Sequence, residues 1–131
     1  MKTKAFLLAG LIVGATPSGA MAEYHQIGRS DRDALSVDPV TIKKVSDNIR
    51  SAWFKFEHSD IATSGTSSSA QLARVDCGNE STAIVSVVQY GTADKVISSY
   101  TNPTFGLRYE PAPPGTLAAT MVRSVCSVAL P

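Results

Sequence analysis

From residue 24 to residue 101, apolar and polar side chains alternate with the period of two that half-buried β-strands require, and turn-forming residues punctuate the alternation. Tyr24 to Ile27 reads as a short first strand, Gly28 to Asp33 as a polar turn, and Ala34 to Val37 as a second strand that meets Asp38-Pro39. Proline lacks an amide donor, so that dipeptide predicts an edge or a bend. Thr41 to Lys44 resumes the strand, and Ser46-Asp47-Asn48 supplies turn chemistry before the long run Ile49 to Glu57. In that run Ala52, Phe54 and Phe56 share one face while Ile49, Ser51 and Trp53 share the other, so both sides call for apolar cover. Trp53 is therefore read as core.

From Ser59 to Ala70 the chain turns to Ser, Thr, Gly and Ala with Ile61 as the single larger apolar residue, which leaves little to bury and predicts a loop. Gln71 to Cys77 and Thr82 to Tyr90 flank Gly78-Asn79-Glu80-Ser81 and form a hairpin, with Cys77 on the inward face beside Val75 and Ala73. Asn79-Glu80-Ser81 matches a glycosylation acceptor, but a turn role is the better reading of Asn79. Gly91 to Asp94 makes the next hairpin turn into Lys95 to Thr101, and Phe105 to Tyr109 reads as a short extended piece. Pro111-Ala112-Pro113-Pro114 cannot continue a central strand. Beyond it Leu117, Met121, Val122, Val125 and Cys126 fall on one helical face, and Thr116 stands where an N-cap belongs. The fold class is α+β: an antiparallel sheet followed by one short amphipathic helix.

The N-terminal residues change where this fold is placed. Lys2 and Lys4 precede the apolar run Ala5 to Ala15, and small residues end in Ala20-Met21-Ala22, which is the order of a secretory signal. The apolar run is too short for a spanning helix, which needs roughly 20 residues. Cleavage after Ala22 would leave residues 23–131 as a single domain. With Lys2 and Lys4 removed, the 12 basic residues fall to 10 against 11 acidic ones, and no segment is strongly basic. Nucleic acid and anionic membrane are thereby disfavoured as partners. Cys77 and Cys126 are the only cysteines, and in an exported chain an even count predicts a disulfide. Such a bridge would tie the helix to the sheet and lower the entropy of the unfolded chain, a stabilisation of roughly 4 kcal/mol in the loop-closure description.

Candidate chemistry is sparse. The only histidines are His25, near the start of the predicted domain, and His58, followed by Ser59 and Asp60; adjacency in sequence does not build a triad. Asp38, Asp76 and Glu110 are carboxylates whose spacing selects no glycosidase pair, and Asp76 is placed to pair with Arg74 on one strand face. No zinc or redox cysteine spacing occurs. The reading is a binding protein rather than an enzyme, without cofactor or metal. Its candidate contact loop contains Ser59, Asp60, Ile61, Thr63 and Thr66, with an exposed sheet edge as the other contact surface. A periplasmic inhibitor that inserts a loop into an envelope protein is the competing class, and a small hydrolase is a distant third.

Several features occur together in an order that resembles the surface-adhesin protein E-like family of small exported bacterial proteins. They are Val75-Asp76-Cys77 at a strand end, Tyr90-Gly91, the proline-rich bend, Pro114-Gly115-Thr116 leading into the helix, and Val125-Cys126 closing it. Val37-Asp38, Thr41-Ile42-Lys43 and the aromatic strand around Trp53 extend the resemblance over nearly the whole domain. The resemblance implies about six antiparallel strands with the helix held on the concave side by the Cys77 to Cys126 bridge. It also implies a role at the bacterial surface, host matrix or plasma proteins as partners, and a homodimer. The chain departs from the family's lipid-anchored namesake because Glu23, not cysteine, follows Ala22. That departure predicts an exported protein, periplasmic or secreted or at the cell surface, without a membrane anchor at the cleavage site.

Overall fold

The computed structural model describes residues 23–60 and 65–131. The export segment, and Ile61 and Thr63 of the candidate loop, lie outside the described residues. Eight strands form one antiparallel sheet: β1 (His25–Arg29), β2 (Asp33–Val37), β3 (Lys43–Lys44), β4 (Ile49–His58), β5 (Ser68–Asp76), β6 (Ser81–Tyr90), β7 (Val96–Thr101) and β8 (Glu110–Pro111). Six of them run as a meander in the order β1-β2-β4-β5-β6-β7. The two-residue strands are accessory: β3 pairs with β4 beyond the end of β2, and β8 pairs with β6 beyond the end of β7. Helix α1 (Leu117–Cys126) follows the prolines and packs across β1, β4, β5 and β6.

The register explains which face the helix covers. Leu35 lies opposite Phe56, Val37 opposite Phe54, and Ala52 opposite Ala73, so one face carries a continuous apolar surface. Met121, Val122 and Val125 of α1 complete that core, in which Phe54, Leu35, Val75 and Val125 are the largest fully buried side chains. The helix begins where predicted: Thr116 Oγ1 accepts the amide of Ala119 at 3.2 Å, after Gly115 has turned the chain at φ +84°. Gly28 in β1 lets the helix approach closely, because a Cβ there would lie 3.1 Å from Thr120 Cγ2 and the helix side chain would have to give by a few tenths of an ångström.

Two long-range ties hold α1 down. Cys77, just after β5, is bonded to Cys126 at the end of the helix, closing a separation of 49 residues. Arg50 of β4 supplies the second tie: its Nη1 donates to the carbonyl oxygens of Val125 and Val128, each at 2.6 Å. Val125 is in the last turn, where the helix leaves its carbonyl oxygens without an internal partner, Val128 lies just beyond it, and a cation at that end also opposes the helix dipole.

The structure corrects five local expectations. The loop after β4 is shorter than Ser59 to Ala70, because Ser68, Ser69 and Ala70 are buried members of β5. Small side chains serve there because they fit between bulky neighbours on adjacent strands, which composition alone does not show. Thr41 ends a 3-10 turn over Pro39–Thr41 rather than starting a strand; its Oγ1 accepts the amide of Trp53 at 2.9 Å and donates to the oxygen of Asp38 at 2.7 Å. Phe105 to Tyr109 is not a strand, since Gly106 turns the chain there at φ +71°, and pairing resumes only at Glu110–Pro111 on the sheet edge. Trp53 does not join the core under the helix; it is half-buried on the opposite face. Asp76 does not pair with Arg74, since its carboxylate accepts the amides of Gly78 and Asn79 and the Asn79 side chain within the hairpin turn.

Candidate functional site

The described ends of the candidate loop are fastened to the sheet. The amide of Ser59 donates to the oxygen of Arg32 at 2.9 Å, and that of His58 donates to the oxygen of Ser67 at 2.9 Å. Ser67 Oγ donates to the oxygen of Gly91 at 2.7 Å, which ties the loop to the turn that follows β6. Ser59, Asp60 and Thr66 therefore stand at the margins of a connection between β4 and β5, beside the β6–β7 turn. The structure does not gather them around a described pocket.

His58 has partners that its sequence neighbours did not suggest. Its Nδ1 lies 2.8 Å from Asp33 Oδ1 and its Nε2 lies 3.0 Å from Ser69 Oγ. Asp33 and His58 are paired directly across β2 and β4, so register alone brings them together. The order Asp–His–Ser is that of an acyl-transfer triad. The setting differs from one, because Ser69 lies in the middle of the sheet with β4 on one side and β6 on the other. Its neighbouring amides are committed to the ladders and cannot serve as oxyanion donors. The three residues act as a polar pin at the base of the loop.

Three surfaces are open. Strand β7 is exposed along its whole length, ends the sheet, and carries no charged residue or proline, the features that usually protect an edge. Beside it Ile84, Tyr100 and Phe105, the last 85 % exposed, line a groove of about 480 Å³ with Arg108, whose Nε is 3.4 Å from Glu110 Oε2. On the face opposite the helix, Trp53, Leu72 and Val85 line a hollow of about 510 Å³. Elsewhere on the molecule Lys55 Nζ stands 5.8 Å from the centre of the Tyr24 ring, and the Tyr24 hydroxyl is pushed up by burial, then by the charges of Asp38 and Tyr90. Asp76 is held below the usual carboxylate range, first by the amide of Asn79. Among the described residues no cluster of three or more metal-binding side chains occurs, and no helix is long and apolar enough to cross a membrane.

Geometry thus defines a class: a disulfide-latched antiparallel sheet with one covered face, one open face and one bare edge. The family model of surface-adhesin protein E matches residues 24–127, and the chain belongs to that family. The comparisons with curated proteins and with solved structures gave no match. Neither the Asp33–His58–Ser69 line nor the Arg50 latch was anticipated from sequence. Period-two alternation places residues on faces but says nothing about which strands become neighbours, and both arrangements depend on that pairing.

Proposed function

We propose that this is an exported, non-catalytic, adhesin-like protein that recognises a protein partner at the bacterial surface or in the envelope. Membership of the surface-adhesin protein E family over residues 24–127 carries the reading. The bare edge supports it. Residues 96–101 expose backbone donors and acceptors without the charges or prolines that keep edges apart, so an extended segment of another chain can add to the sheet there. A second copy of this chain is one such segment, because β7 carries no charge to repel itself, and the homodimer is part of the proposal. The stretch that starts at Ser59 and Asp60 and returns through Thr66, with Ile61 and Thr63 between them in sequence, is the proposed accessory contact. Residues 1–22 serve export, with cleavage after Ala22 and no lipid anchor there.

The test is retention of the exported protein on immobilised matrix and plasma glycoproteins, run beside a pull-down from envelope extract and protease treatment of intact cells. Saturable retention together with cleavage on intact cells supports the adhesin-like reading. Prey drawn only from inside the envelope, with complete protection on intact cells, replaces it with the inhibitor reading. A turnover on hydrolase substrates that His58→Ala abolishes would refute the non-catalytic assignment.

A further inference from the structure

The hollow on the open face combines features that sheet stability does not explain. Lys43 of β3, Ser51 of β4 and Arg74 of β5 form one lateral row, since Lys43 pairs with Ser51 and Ser51 pairs with Arg74. Adjacent strands lie about 5 Å apart, so the two cationic residues are rooted roughly 10 Å from each other with a small residue between them. All three side chains line the hollow. Ser51 is only 7 % exposed and, like the buried Ser68 and Ser81, its hydroxyl has no hydrogen-bond partner among the described residues; of the three, Ser51 lines the hollow. A buried hydroxyl without a partner costs free energy that a bound acceptor would recover.

The charges are equally unanswered. Among the described residues no carboxylate lies within salt-bridge distance of Lys43 or Arg74. Asp38, close in the chain to this wall of the hollow, turns its carboxylate to the amide of Val40 at 3.3 Å. Arg74 is not occupied by Asp76 either, because that carboxylate is satisfied inside its own turn. Next to the cationic row lies the apolar floor of Trp53, Leu72 and Val85, and at the rim stand Val45 and Val40, the latter 88 % exposed. Three donors and an apolar floor side by side fit an anion that carries an apolar group a few ångströms away.

We infer that this hollow is the docking site for an acidic peptide segment of the protein partner, a carboxylate received by Lys43, Ser51 and Arg74 with an adjoining apolar side chain on Trp53. The inference rests on the adhesin-like reading for the existence of a protein partner. Charge complementarity selects the carboxylate, and the apolar floor and rim select a peptide over a sulfated glycan, which would favour a longer run of cations. The hollow is open to solvent at the rim, so the segment lies across it rather than inside it.

Trp53 is the only tryptophan of the chain, so its fluorescence reports the site directly. The exported protein is titrated with a capped peptide of alternating Leu and Glu, with its Leu-Gln counterpart, with dodecanoate and with a sulfated oligosaccharide. Saturable binding of the Glu peptide is expected, at least about tenfold weaker for the Gln peptide, and about tenfold weaker again in each of Lys43→Gln and Arg74→Gln, the size of one charge-assisted hydrogen bond. Both variants should melt within about 2 °C of the parent, because they remove charges that have no ion-pair partner among the described residues. Equal binding of the Gln peptide, unchanged affinity in both variants, preference for dodecanoate or the oligosaccharide, or no saturable response overturns the inference. The two proposals separate on immobilised partner. Full retention of the Lys43→Gln, Arg74→Gln double variant removes the hollow and leaves the adhesin-like reading, whereas peptide binding without any retained protein supports the hollow's chemistry and removes the reading.

Discussion

Phe54 and Trp53 are chain neighbours on opposite faces of one strand, and their surroundings show how differently the two faces are built. Phe54 is fully buried beneath α1, among Leu35, Val75 and Val125, with the disulfide and Arg50 holding the cover in place. Trp53 lies on the opposite face, where among the described residues no helix covers it, and it lines a hollow together with Lys43 and Arg74. On the covered face Arg50 donates to the carbonyl oxygens of Val125 and Val128 at the end of the helix. Among the described residues the open face leaves the Ser51 hydroxyl without a hydrogen-bond partner and Lys43 and Arg74 without an ion-pair partner.

Mutation should reproduce this asymmetry. Phe54→Ala is expected to cost about 3–5 kcal/mol because the helix and both neighbouring strands leave a cavity that cannot collapse. Trp53→Ala, although it deletes a larger side chain, should cost less than half as much, since much of that surface already faces water. Urea unfolding followed by circular dichroism measures both, and equal losses would show that the open face is a second core. Opening the latch comes next. Replacing Cys77 and Cys126 together by serine should remove at most about 4 kcal/mol, the loop-closure value for a bridge of this span. The same change should leave Trp53 fluorescence nearly unaltered in the folded state, because the bridge belongs to the other face.

Arg50→Ala should follow at about 1–2 kcal/mol, from two charge-assisted hydrogen bonds to carbonyls at a partly exposed helix end. Hydrogen exchange gives the sharper reading. Amides of residues 123–126 should lose protection while those of β4 and β5 keep it, and uniform loss across the sheet would mean that Arg50 supports more than the helix terminus.

How far the sequence could lead follows the same division. Alternation showed the meander, the spacing from Leu117 to Cys126 showed the helix, and the two cysteines showed what joins them. All three are local or covalent. The Lys43–Ser51–Arg74 row, the Asp33–His58–Ser69 line and the Arg50 latch depend on strand neighbours and on register, which a one-residue slip would rearrange entirely. Trp53 was misplaced for a related reason: period two assigns it a face, but only the helix decides which face becomes core. Ser68 to Ala70 looked like loop because small polar residues are counted as turn formers even where packing needs their size.

The smallest expected effect tests whether Arg74 is free for a partner. Its nearest carboxylate along the strand is Asp76, and the obvious sequence reading joins the two. In the structure Asp76 lies below the usual carboxylate range because of the amide and side chain of Asn79 and the amide of Gly78, without help from Arg74. A depressed folded-state value means a stabilising contribution that is present above the unfolded carboxyl value of about 4 and is lost as pH falls through the folded one. The effect is small because the turn is exposed and water competes for the carboxylate. Asn79→Ala should therefore raise the Asp76 titration midpoint, read by NMR of the side-chain carboxyl, and should make the protein slightly less stable at pH 7 than the parent, a difference that shrinks as pH falls through the folded-state value. Arg74→Gln should leave the Asp76 midpoint where it is. If instead Arg74→Gln moves that midpoint upward as far as Asn79→Ala does, the guanidinium is already committed to Asp76 and is not free to receive a carboxylate in the hollow.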